Sequence, residues 1–175
     1  MNRIIALAAF VMISCILQAQ NAAITQAEEL MKAEKYTEAS KVLTEGIKTA
    51  PTKELYNKRG EAKNMLEDFY GAIGDYNMAL EMDSKYAEVY NNRGIAKYNL
   101  GDNLSAIEDY TNAIAINPEY AEAFANRGLA YYDIDELEAA FFDFSRSIEL
   151  DPTDADKYFN RAVIRAELQE FLSAI

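Results

Sequence analysis

Apolar and small residues recur along this chain at the spacing of a helix face, and the helical stretches themselves recur every 34 residues. Over residues 87–120, Tyr90, Gly94, Ala96 and Leu100 fall on one side of a helix turning about 100° per residue. This predicts a first helix, A. A turn is expected at Gly101-Asp102-Asn103, where Gly accepts positive φ and Asp or Asn caps the next helix. The run Ala106, Ile107, Tyr110, Ala113, Ile114 and Ile116 predicts a second helix, B, and Asn117-Pro118 ends it, because Pro disfavours helix in the residue before it. Such a hairpin cannot bury its apolar face alone, so the pattern predicts a stack of hairpins.

The same phrase is written four times. Asn57-Lys58-Arg59-Gly60-Glu61-Ala62 returns as Asn91-Asn92-Arg93-Gly94-Ile95-Ala96, as Ala125-Asn126-Arg127-Gly128-Leu129-Ala130, and as Phe159-Asn160-Arg161-Ala162-Val163-Ile164. The units run 53–86, 87–120 and 121–154, with a partial copy at 155–175 and a degenerate one at 20–52. Unit positions are counted from residues 53, 87, 121 and 155.

An aromatic at position 4, a small residue at 8, Ala at 20, an aromatic at 24, a small residue at 27 and Pro at 32 are found as Tyr90, Gly94, Ala106, Tyr110, Ala113 and Pro118. The next unit has Phe124, Gly128, Ala140, Phe144, Ser147 and Pro152, and the one before has Tyr56, Gly60, Ala72, Tyr76 and Ala79, with Ser84 in place of Pro. This pattern resembles the tetratricopeptide repeat (TPR) family over about residues 20–175. The resemblance implies an all-α, right-handed solenoid of antiparallel hairpins that holds other proteins. It names an architecture and not a task. Tyr56, Tyr90, Tyr158, Tyr76 and Tyr110 fill aromatic positions of this packing code, so they are expected in the core.

The two ends read differently. Met1-Asn2-Arg3 followed by the apolar run Ile4–Leu17 and the small residue Ala19 reads as a signal peptide over residues 1–19. Cleavage after Ala19 would leave an exported chain, periplasmic or secreted, with no membrane insertion. Met12-Ile13-Ser14-Cys15 partly resembles a lipobox, and a lipid anchor on Cys15 is the alternative. At the other end Phe171–Ile175 reach unit position 21, just inside the expected helix B. The array therefore reads as C-terminally truncated, or as packing its open end against another subunit.

With 29 acidic and 17 basic side chains the net charge is −12, which argues against nucleic acid and against anionic lipid. Basic protein or peptide partners fit this charge. The chain has no His and no Trp, and its one Cys leaves with a signal peptide. The commonest general base, the usual zinc ligands and a thiol nucleophile are thus missing, and no glycine-rich phosphate loop occurs. No enzyme activity and no cofactor or metal is expected. Asp133, Asp135 and Glu136 sit at a hairpin turn, where acids favour the next helix N-terminus. Asp151, Asp154 and Asp156 have calcium-like spacing, but Pro152 and the lack of a loop Gly oppose that reading. Asn103-Leu104-Ser105 is a formal glycosylation sequon in a turn.

Positions 2, 5, 6, 9, 12 and 13 project away from the packed side of helix A, and the TPR resemblance implies that they line a concave groove. Asn92, Asn126 and Asn160 would form a ladder there, with Tyr98 and Tyr132 as aromatic edges and Glu88 and Glu122 on an acidic rim. Asn offers both a donor and an acceptor, so a row of them can hold the amides of an extended peptide. The clamp with which chaperone-binding TPR proteins hold acidic tails is absent, since Asn91, Glu61, Ile95 and the position-2 acids replace its cations and Asn.

Arg59, Arg93 and Arg127 recur at position 7 together with Asp75, Asp109 and Asp143 at position 23, which predicts structural ion pairs bracing helix A against helix B. The expected function is a protein- or peptide-binding scaffold in the cell envelope or outside the cell. The alternative is the substrate-docking arm of a larger enzyme or regulator whose catalytic domain lies beyond Ile175.

Overall fold

The computed structural model describes the backbone of residues 2–173 and the side chains of residues 14 and 17–169. The lipid-anchor reading of Cys15, like Ile175, lies outside this range. Among the described residues all regular structure is helical, and no helix is long and apolar enough to cross a membrane. The chain divides into two compact units, residues 1–84 and 85–175.

Unit 1 holds α1 (Asn2–Lys32), α2 (Tyr36–Thr49), α3 (Lys53–Met65) and α4 (Phe69–Met82). Its core is Ala27, Ala39, Leu43, Leu55 and Ala62, all fully buried, with Ile24, Leu30 and Met31 packed against them. Thr52 caps α3 by accepting from the Leu55 N–H at 3.3 Å, and Asp68 caps α4 by accepting from the Gly71 N–H at 3.0 Å. Residues 2–19 and the first helix of the degenerate repeat form one continuous helix, α1.

Unit 2 holds α5 (Ala87–Asn99), α6 (Asn103–Ile116), α7 (Ala121–Tyr132), α8 (Leu137–Leu150) and α9 (Ala155–Ser173). The core is built in steps, one per repeat: Ala106, Tyr110 and Ala130, then Ala140, Phe144 and Ile164. The small residue at position 8 makes room for the helix-B ring. A Cβ on Gly94 would stand 2.6 Å from Tyr110 Cε1, and one on Gly60 would stand 2.5 Å from Tyr76 Cε1. At Gly128 the corresponding distance to Phe144 is 3.1 Å.

Four features depart from the sequence reading. Helix α9 runs unbroken through the turn expected near residue 170, because Gln169-Glu170 occupy the places where Gly101-Asp102 break α5. Tyr158, expected in the core, is 41% exposed, since no helix B covers α9 among the described residues. Position 5 faces inward rather than into a groove: Asn57 and Asn91 are fully buried. Position 3 is core as well, with Leu55, Val89 and Ala123 fully buried and Lys157 nearly so. Lys157 Nζ reaches Asp151 Oδ2 at 2.9 Å, which satisfies the charge.

Candidate binding groove

The Arg and Asp ladder fixes α3 on α4, α5 on α6 and α7 on α8. Arg59 Nε and Nη2 donate to Asp75 at 2.8 and 2.6 Å, Arg93 to Asp109 at 2.9 and 2.6 Å, and Arg127 to Asp143 at 2.7 and 2.8 Å. A second cation joins the first two pairs: Lys63 Nζ lies 2.8 Å from Asp75 and Lys97 Nζ 2.7 Å from Asp109. The three aspartates are buried, and two-pronged charge-assisted bonds are what such burial requires.

Neighbouring A helices are joined by a second set of contacts. The Tyr132 hydroxyl donates to Glu167 Oε1 at 2.8 Å, from α7 to α9. Tyr98 of α5 is hydrogen-bonded in the same way to Asp133, just after α7. Burial of the ring and that bond push the Tyr98 phenol up to about 12. Tyr98 packs with Ile95 and Ile107 around Tyr110, so the structure assigns it to holding repeats together rather than to an open aromatic edge. Tyr132 does both, since one side of its ring lines a cavity.

The asparagines divide in a related way. Asn126 Nδ2 donates to Oδ1 of the buried Asn91 at 3.0 Å, which leaves the Asn126 Oδ1 acceptor uncommitted along this bond. In unit 1 the corresponding Asn57 donates to Glu61 Oε1 at 2.9 Å. Ile95 stands where Glu61 would, and Asn91 Nδ2 accordingly has no acceptor among the described residues. Asn92 is half-buried on α5, and Glu88 and Glu122 are exposed at the helix starts.

Two cavities open between α7, α8 and α9. The smaller, about 190 Å³, is walled by Leu129, Tyr132, Phe144, Asn160 and Val163. The larger, about 590 Å³, is lined by Glu122, Asn126, Asp154, Asp156 and Asn160. Asn160, Leu129 and Phe144 border both, so an apolar slot adjoins a wider polar trough. Asp151 is committed elsewhere, with Lys157 and Thr153 holding its carboxyl down to about 2. Asp154 Oδ1 accepts from the Asp156 N–H at 3.0 Å at the start of α9. Among the described residues no group of three acidic or thiol side chains is placed to hold a metal ion.

The family described as TPR repeat matches residues 98–135, and the one described as Tetratricopeptide repeat matches residues 121–154. Residues 98–154 of unit 2 thus match tetratricopeptide repeats. No protein of curated function matches the chain. Among solved structures, PilF of Pseudomonas aeruginosa shares 20% identity over 90% of this chain and 72% of its own, with a TM-score of 0.82. The first TPR of Spaghetti (RPAP3), bound to the HSP90 peptide SRMEEVD, shares 24% identity over 67% of this chain and 94% of its own, with a TM-score of 0.66. The second TPR domain of human RPAP3, in complex with the HSP70 peptide SGPTIEEVD, shares 26% identity over 63% of this chain and 92% of its own, at a TM-score of 0.60. These likenesses establish the all-α TPR fold. Two of the three neighbours are peptide complexes.

Proposed function

We propose that the protein is a non-enzymatic scaffold whose TPR groove in unit 2 holds an extended, basic peptide segment of another protein. The observation that carries this reading is the trough beside Asn126 and Asn160, rimmed by Glu122, Asp154 and Asp156. An acceptor fixed at Asn126 by its bond to Asn91 suits a main-chain N–H, and the carboxylates suit Lys or Arg heads. The RPAP3 neighbours hold acidic peptides, and such tails would be repelled here. We also read residues 1–19 as an export signal, which places the scaffold in the cell envelope or outside the cell. The apolar run Ile4–Leu17 supports that reading.

Immobilised extended peptides of equal length, differing only in Lys/Arg against Asp/Glu content, test the groove. The basic set should bind, and raising the salt should weaken binding severalfold by screening the rim. Asn126→Ala with Asn160→Ala should weaken it by at least about tenfold, the loss of two net hydrogen bonds. Equal retention of acidic and basic peptides, or full retention by the double variant, would overturn the assignment.

A further inference from the structure

The polar contacts of the trough leave the adjoining apolar slot of about 190 Å³ unused. Leu129 and Tyr132 wall it from α7 and Val163 and Ile164 from α9, over the ring of Phe144 from α8. Phe144 and Ile164 are 1% exposed and form its floor, while Leu129, Tyr132 and Val163 are half-buried and form its sides. At the C-terminal end of α7 the Tyr132 hydroxyl donates to Glu167 Oε1 at 2.8 Å and ties the two walls together. Asp133 borders the slot as well, but Tyr98 hydrogen-bonds its carboxylate from α5. Toward the N-terminal ends of α7 and α9 the slot meets the trough, with Asn160 bordering both. Positions 6 and 9 are half-buried alike on α5, α7 and α9, so the slot belongs to a face that stays open where a helix B is packed behind.

We propose, resting on the reading of the trough as a peptide groove, that the slot is its anchor site. It takes one large apolar side chain of the basic segment, from leucine to phenylalanine in size. A cavity of roughly 150 Å³ is enough for benzene, so this slot accepts a phenyl ring or a leucyl branch, and an alanine methyl would leave it mostly empty. Water there has hydrocarbon on most sides, and an apolar group displaces it favourably. A charged head would instead lose its hydration among Leu129, Val163 and Phe144. The main chain carrying the anchor then passes Asn160 and Asn126, whose amides bond peptide groups. Glu122 on the rim and Leu129 at the slot are seven residues apart on α7. That is about 10 Å along the helix, the reach of about three extended residues, so cation and anchor belong about three residues apart in the ligand.

The probes are fluorescent peptides of about nine alternating Ser and Thr residues, with a central test residue and an arginine about three places to either side. Binding to the whole chain is read by anisotropy. Leucine or phenylalanine at the centre should bind at least about tenfold tighter than alanine, and glutamate no tighter than alanine. Val163→Phe fills the slot and should remove the leucine-over-alanine ratio. Leu129→Ala widens it and should shift the order toward tryptophan. Each ratio is internal to one protein, so a partial loss of fold lowers both peptides and leaves the ratio, and circular dichroism checks the helices. Equal binding of leucine, phenylalanine and alanine peptides that still respond to Asn126→Ala with Asn160→Ala would overturn the anchor site and leave the groove standing. A leucine preference that survives Val163→Phe would also overturn it, by placing the anchor elsewhere. No binding by any of the peptides would overturn the groove and the anchor site together.

Discussion

At the scale of single residues, the turns inside the hairpins carry the least expected feature. Each has one residue in the left-handed region: Glu34 at φ 58°, Glu67 at φ 60°, Gly101 at φ 79° and Asp135 at φ 61°. Only Gly101 announces this in the sequence. The period places the turn, but at Glu67 the turn geometry is imposed by the hairpin, with the Asp68 N–H donating to the Lys63 carbonyl at 2.9 Å. A non-Gly residue in this region costs about 1–2 kcal/mol, and glycine's extra freedom in the unfolded chain takes back about 0.5–1. Glu67→Gly should therefore stabilise unit 1 by several tenths to about 1 kcal/mol, raising the midpoint of thermal unfolding. A lowered midpoint would show that Glu67 makes contributions the backbone argument omits.

Between elements, the ladder of arginines and aspartates was legible because presence and absence co-occur within one chain. Its local variation was not. Lys97 shares Asp109 with Arg93, whereas Tyr131 stands at the place of that lysine in the next repeat, so among the described residues Arg127 is the one cation on Asp143. Losing one partner of a buried pair costs about 3–5 kcal/mol when nothing replaces it. Arg127→Met should approach that range, while Arg93→Met, with Lys97 left on Asp109, should cost at least about 1 kcal/mol less. Adding Asp143→Leu to Arg127→Met should recover part of the loss. Urea unfolding measures all three, and equal costs at the two arginines would refute the shared-aspartate account. Tyr98 teaches the complementary lesson. Helical spacing put it on the open side of helix A, but its partner Asp133 stands at position 13 of the next unit, a relation visible only once the repeats are stacked. Its phenol titrates near 12 when folded against about 10 when free. The contribution of the neutral form is thus complete below pH 10 and fades between about 10 and 12. Above pH 10 the wild-type chain should lose stability faster than Tyr98→Phe. Parallel loss in both would assign the alkaline effect to other groups.

For the molecule as a whole, the 34-residue period made the hairpin stack readable almost throughout, because each unit repeats one packing solution. Less of the candidate groove was readable. The Asn126 and Asn160 ladder positions line a cavity, but the burial of Asn91 and Lys157 was not legible, since burial at positions 3 and 5 depends on the neighbouring A helix rather than on the helix's own face. The N-terminus joins sequence and packing in a different way. Of the side chains described before residue 20, Ser14, Leu17, Gln18 and Ala19 are exposed, Leu17 by 56%. From Gln20 onward α1 is tied to the rest of unit 1. Gln20 Nε2 donates to the Ala50 carbonyl at 3.1 Å, and Ala23, Ile24 and Ala27 pack into the core. Among the described side chains, packing into the core thus begins between Gln20 and Ala23. A chain beginning at Gln20 gives up almost no buried apolar surface among the described side chains, so it should unfold at a midpoint within about 2 °C of the full chain. Mass spectrometry of the exported protein should find that same start. A midpoint lowered by several degrees would mean that residues 1–19 are part of the fold, and a mature N-terminus at Met1 would remove the export reading.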